Sequence, residues 1–112
     1  MVRKLLLTAT LLACTTFAAQ ADVIEGNWKT QSGETAAIGP CGGGFCIVLK
    51  TGKHAGKKIG SMSGLGGTYN GIIEDPADGK KYSGSFRISG KRAKLKGCAL
   101  KIFCKTQTWN KL

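Results

Sequence analysis

The chain has 112 residues, with 17 Lys and Arg against 6 Asp and Glu, for a formal charge of +11. That length holds one domain, with or without a leader, and not two cores. Seventeen glycines without a Gly-X-Y period and only two prolines exclude collagen-like and proline-rich chains, and 42% apolar with 21% charged residues excludes a disordered polycation.

Residues 1–21 read as a secretory signal peptide. Arg3 and Lys4 form a positive start, an apolar stretch follows, and Ala19-Gln20-Ala21 places small residues at both positions that a signal peptidase reads, with Asp22 after the cut. The apolar run from Leu5 to Ala19 is 15 residues, short of the roughly 20 that a spanning helix needs. Leu11-Leu12-Ala13-Cys14 offers a second cut, as a lipobox that would leave an acylated Cys14 at the N-terminus, but the Ala-Gln-Ala site is the cleaner. Cleavage after Ala21 leaves residues 22–112 as a single domain of charge +9 with four cysteines, in the periplasm or secreted. An even number of cysteines in an exported chain implies two disulfides.

No helical hydrophobic period lasts three turns anywhere in residues 22–112; alternation does last. Turn residues divide the chain into eight expected strands near 25–31, 34–39, 45–50, 57–62, 67–74, 80–88, 91–98 and 103–110. Ser32-Gly33, a glycine loop at 40–44, a lysine-glycine loop at 51–56, a glycine-rich break at 63–67, Asp75-Pro76-Ala77-Asp78-Gly79 and Ser89-Gly90 separate them. In 82–88 one face carries Tyr82, Phe86 and Ile88 and the other Ser83, Ser85 and Arg87; in 92–97 the cations point one way and Ala93 and Leu95 the other. The fold class is therefore all-β. Short sequential hairpins favour an antiparallel up-and-down meander that closes into a small barrel, which removes its exposed edges.

The C-terminal third carries a family pattern. Asp75-Pro76-Ala77-Asp78-Gly79-Lys80-Lys81-Tyr82 resembles the D-P-x-D-G-K-x-Y stretch of the bacterial exported domain-of-unknown-function family 2147. Leu95-Lys96-Gly97-Cys98 and Thr106-Gln107-Thr108-Trp109 are similar to its closing strands, Gly26-Asn27-Trp28 to its opening G-x-W, and Cys41 and Cys46 to its paired cysteines. Residues 51–66 depart from it, being short and rich in glycine and lysine. The resemblance implies a lipocalin- or calycin-like barrel with G-x-W near one end of the first strand, and no assigned activity.

Four cysteines allow three connectivities. In a meander, successive turns alternate between barrel ends, so the 41–46 and 98–104 loops fall at opposite ends. Cys41–Cys46 and Cys98–Cys104 are therefore the expected structural disulfides. Neither pair has the C-x-x-C spacing of a zinc or redox site, and no metal or cofactor is expected.

Catalytic groups are few, and the chain is not expected to be an enzyme. His54 lies in a polar loop among lysines. Glu74, Asp75 and Asp78 supply a carboxylate set, the remote enzymatic alternative, but Asp-Pro-x-Asp-Gly is also what a tight turn demands. Neither glycine loop has the spacing of a P-loop or a dinucleotide fingerprint. Trp28, Tyr69, Tyr82, Phe86 and Trp109 are candidate ligand-lining residues, set against a packed interior with a modest cavity. Arg92, Lys94 and Lys96 on one strand face, with Lys57 and Lys58, are candidate anion-binding residues, set against a merely solvated face. The aromatics are not interleaved with the cations, so no specific nucleic acid is expected. The leading expectation is a monomeric, non-enzymatic barrel that binds a small ligand or serves the envelope as an accessory. The alternative is a module that binds a polyanion or an anionic membrane surface.

Overall fold

The computed structural model describes residues 22–100 and 103–112; the expected signal peptide and the Cys14 alternative lie outside them. Eight antiparallel strands follow one another: β1 (Gly26–Lys29), β2 (Thr35–Cys41), β3 (Gly44–Leu49), β4 (Lys58–Leu65), β5 (Thr68–Glu74), β6 (Lys81–Ser89), β7 (Arg92–Ala99) and β8 (Phe103–Lys111). Each pairs with the next, and β8 returns to β1 to close the barrel. The closing seam is short, with Trp28 opposite Lys111 and Lys29 opposite Asn110.

Two boundaries differ from the sequence expectation for physical reasons. The glycine loop expected at 40–44 shrinks to a turn at Gly42-Gly43, with φ of 56° and 85°, because Pro40 and Cys41 pair with Phe45 and Gly44. β1 reaches only to Ile38, so Pro40 has a sheet neighbour on one side alone, where its missing N–H costs no ladder bond. The break expected at 63–67 likewise reduces to Gly66-Gly67, with φ of 70° and 101°, and β4 runs on to Leu65.

Alternation fills the barrel. Trp28, Ala36, Ile38, Ile47, Leu49, Met62, Tyr69, Phe86, Ala93, Leu95 and Trp109 turn inward and are buried. A bulge where β3 meets β4 sets Ile47 opposite Gly60 and Val48 opposite Lys58. Ile59 is the extra residue, and it and Gly60 are both buried. The aromatics crowd towards the end formed by the β2–β3, β4–β5 and β6–β7 turns. Phe86 meets Trp28 and Trp109 edge-on at centroid distances of 5.2 and 5.5 Å, and Phe45 meets Tyr69 at 5.7 Å. Such edge-on pairs contribute about 0.5–1.5 kcal/mol beyond area burial.

The segment before β1 caps this filled end. Ile24 is fully buried, and its carbonyl accepts the Trp28 Nε1–H at 2.8 Å. The Tyr69 hydroxyl donates to Asp22 Oδ1 and accepts the Gly67 amide at 3.2 Å. Lys111 Nζ donates to the Val23 carbonyl at 2.7 Å and lies 5.4 Å from the Trp28 ring centroid.

Candidate functional site: a cavity at the open end

The other end, formed by the β1–β2, β3–β4, β5–β6 and β7–β8 connections, is not filled. A cavity of about 790 Å³ opens there. Its floor and walls include Leu49, Ile59, Ile73, Leu95 and Trp109. The opening has a physical origin in the sequence. Gly71, Gly84 and Gly97 sit side by side across β5, β6 and β7, so three adjacent inward positions carry no side chain. The space at Gly71 and Gly84 is taken up. A Cβ at Gly71 would collide with the Ser61 carbonyl, and one at Gly84 would meet Met62 Cε at 3.1 Å and press on Ile73. At Gly97 it is not: a Cβ there would find only Tyr82 Cβ, at 3.7 Å.

Polar groups ring the mouth. The Thr30 side chain is buried, and its Oγ1 accepts the Glu34 amide at 3.0 Å. Ser32 Oγ donates to Glu34 Oε1 at 2.7 Å. Three of the six carboxylates, Glu34, Glu74 and Asp75, line the cavity, together with His54, Lys105 and Gln107. Lys57 Nζ approaches Glu74 Oε2 at 4.0 Å and donates to the Pro76 carbonyl at 3.4 Å. Gln107 Oε1 accepts the Trp109 Nε1–H at 3.0 Å.

The candidate residues separate. Tyr82 and Trp109 line the cavity. Trp28, Tyr69 and Phe86 do not; each is fully buried in the filled end, where its ring packs against another aromatic. The cavity is also larger than the modest one expected, because a count of bulky residues overlooks the open inward position at Gly97. Leu49, Ile59, Ile73 and Leu95 were not singled out as lining; the strand alternation already turns them inward, but their height along the axis depends on register and on the bulge.

Asp75 and Asp78 hold the β5–β6 turn. Asp75 Oδ1 accepts the Ala77 amide and Asp78 Oδ1 the Lys80 amide, each at 2.9 Å, while Gly79 takes a φ of 75°. Cys98 is directly opposite Cys104 and bonded to it at the open end. Cys41 and Cys46 are bonded at the filled end, with their Cα atoms 5.7 Å apart. Arg92, Lys94 and Lys96 are exposed along β7. Lys57 and Lys58 lie apart from them, just before and at the start of β4, because two strands, β5 and β6, stand between.

A family model described as an uncharacterised protein conserved in bacteria, DUF2147, matches residues 57–111. Over these residues the chain is similar to the DUF2147 family. The match covers β4–β8, the larger part of the cavity wall and the Asp75–Tyr82 segment. The strands with Gly26-Asn27-Trp28 and the Cys41–Cys46 pair lie before it. No curated protein and no solved structure matches the chain.

Proposed function

We propose that this barrel is a non-enzymatic, exported protein that takes one small ligand with an apolar body into its open end. The observation that carries this reading is the cavity of about 790 Å³. Its size falls within the roughly 300–1,000 Å³ of ligand pockets, and its apolar floor beneath a polar ring is the pattern such pockets share. An eight-stranded barrel is wide enough to hold one such molecule. A non-catalytic role is supported by the carboxylates Asp75 and Asp78, each of which has its Oδ1 engaged in a turn hydrogen bond. Export is supported by the positive, apolar and small-residue pattern of residues 1–21 and by two disulfides, which persist in oxidising compartments.

Gly97 provides the test. Its φ is not in the left-handed region, and the space before it is open, so Gly97→Phe fills the cavity without backbone strain. The wild type is expected to bind the apolar dye N-phenylnaphthylamine saturably. The Gly97→Phe variant should bind about tenfold or more weakly, with its melting temperature kept, because the buried contact area is lost. A Leu65→Ser control, at the filled end where Leu65 is 78% exposed, should bind like the wild type. Absence of dye binding by the wild type, or equal binding by the Gly97→Phe variant, would remove the cavity as the ligand site.

A further inference from the structure

The outer faces of β6, β7 and β8 form one surface, away from the cavity. Alternation turns Ser83, Ser85 and Arg87 outward on β6, Arg92, Lys94 and Lys96 on β7, and Thr106, Thr108 and Asn110 on β8. Register places Arg87 directly opposite Lys94, with Thr108 on the other flank of Lys94. The cations are thus about 5 Å apart across strands and about 7 Å apart along β7. Like charges in directly opposed positions repel and destabilise a sheet. No carboxylate stands on the outward positions of this part of the face to relieve them. Among the described residues the ion pair formed is Lys57–Glu74, elsewhere on the barrel. At one end Arg92 joins Ser89, Lys91 and Asn110 around a cleft of about 340 Å³. At the other end of the same hairpin, Leu100 and Phe103 are 82% and 68% exposed, and Leu100 holds a φ of 52°.

We infer that this face docks on an anionic lipid bilayer. Arg87, Arg92, Lys94 and Lys96 meet headgroup phosphates, and Leu100 and Phe103 enter the headgroup layer. Anionic headgroups relieve the Arg87–Lys94 repulsion that the folded chain leaves uncompensated, and juxtaposed cations on a flat face sum their attraction to a charged surface. The apolar pair on the same hairpin distinguishes a bilayer from a soluble polyanion, which offers it nothing. No aromatic stands among the four cations, so the face lacks the stacking platform of a single-stranded nucleic-acid site. The four cations stand on outer strand faces apart from the cavity, whereas Phe103 also lines the cavity mouth, so the four-site variant is the one that separates this inference from the ligand reading.

Vesicle sedimentation tests it. The purified protein should bind phosphatidylglycerol-containing vesicles and not pure phosphatidylcholine vesicles, with affinity falling steeply between about 50 and about 200 mM salt. A variant with Arg87, Arg92, Lys94 and Lys96 all changed to Ser should bind about a hundredfold more weakly and show a flatter salt dependence. Leu100→Ser with Phe103→Ser should weaken binding several-fold and leave the salt dependence unchanged. Lys94→Glu separates binding from folding. It sets a carboxylate opposite Arg87, so its melting temperature should hold or rise by about 2 °C while vesicle binding falls about tenfold or more. Equal binding by the wild type and the four-site variant, or no wild-type preference for anionic vesicles, overturns the inference. Binding to the soluble polyanion heparin without binding to vesicles overturns the bilayer as the partner.

Discussion

Asp22 and Tyr69 show how much of the filled end rests on two side chains. Burial alone would raise the Asp22 carboxyl. Hydrogen bonds from the Tyr69 hydroxyl and from the backbone around Ile24, Gly66 and Val23 outweigh it and hold the group below its ordinary value. Burial raises the Tyr69 hydroxyl above its ordinary value, and the bond to Asp22 adds to the shift. The depressed carboxyl contributes stability above its unfolded pKa of about 3.9, and this is lost as pH falls through the lower folded value. The raised tyrosine contributes stability below about pH 10, lost as pH rises through the higher folded value. Tyr69→Phe should therefore cost about 1–3 kcal/mol at neutral pH and flatten both limbs of the stability curve. Urea denaturation between acid and alkaline pH checks it; a variant with wild-type limbs on both sides would dissociate the pair from the cap. The sequence marks Asp22 only as the residue after the expected cleavage site. Its place against Tyr69, 47 residues away, depends on barrel closure and has no local signal.

At the scale of elements, alternation and turn chemistry made the strands legible. Tyr82, Phe86 and Ile88 share the inward face of β6 and Ala93 and Leu95 that of β7, while Arg92, Lys94 and Lys96 are exposed; period-two patterning depends on nothing outside the strand. Registers were not legible, and the functional geometry depends on them. The alignment of Gly71, Gly84 and Gly97 is created by pairing between strands, so one chain segment read alone shows three unremarkable glycines. The row yields a graded prediction. Gly71→Ala forces a Cβ against the Ser61 carbonyl and should destabilise by about 1–3 kcal/mol, the range of overpacked cores. Gly97→Ala meets ordinary van der Waals contact and should be neutral or stabilising by a few tenths of a kcal/mol, roughly as for a glycine exchanged in a strand. Chemical denaturation of the two variants side by side checks this; equal costs at both positions would contradict the account of where the barrel is full.

At the scale of the whole molecule, the barrel divides along its axis into an aromatic plug and an open mouth, each end tied by one disulfide. Both disulfides close short loops, so the chain-entropy model assigns about 2 kcal/mol to each. Reduction should lower the unfolding free energy without exposing the aromatic core, and tryptophan fluorescence under mild reductant checks that the folded state persists. Burial of Trp28 and Trp109 predicts a blue-shifted emission that stays blue-shifted; a red shift on reduction alone would place the disulfides at the heart of the fold instead of at its two ends. The barrel, its strand count and its closure were readable from turn spacing. The division into a filled and an open half was not, because aromatic residues in the sequence carry no axial coordinate: Trp28 and Trp109 were grouped together, yet Trp109 forms the cavity floor while Trp28 lies beneath it among buried side chains.

The central claim is that the open end receives a ligand. Amide chemical-shift mapping of the isotope-labelled protein during titration with N-phenylnaphthylamine tests it most directly. The account predicts saturable shifts at Leu49, Ile59, Ile73, Leu95 and Gly97, which surround the cavity, with Ile24 and Tyr69 at the filled end unmoved. Shifts centred on Ile24 and Tyr69, or scattered non-saturable shifts across the outer faces of the strands, would contradict it.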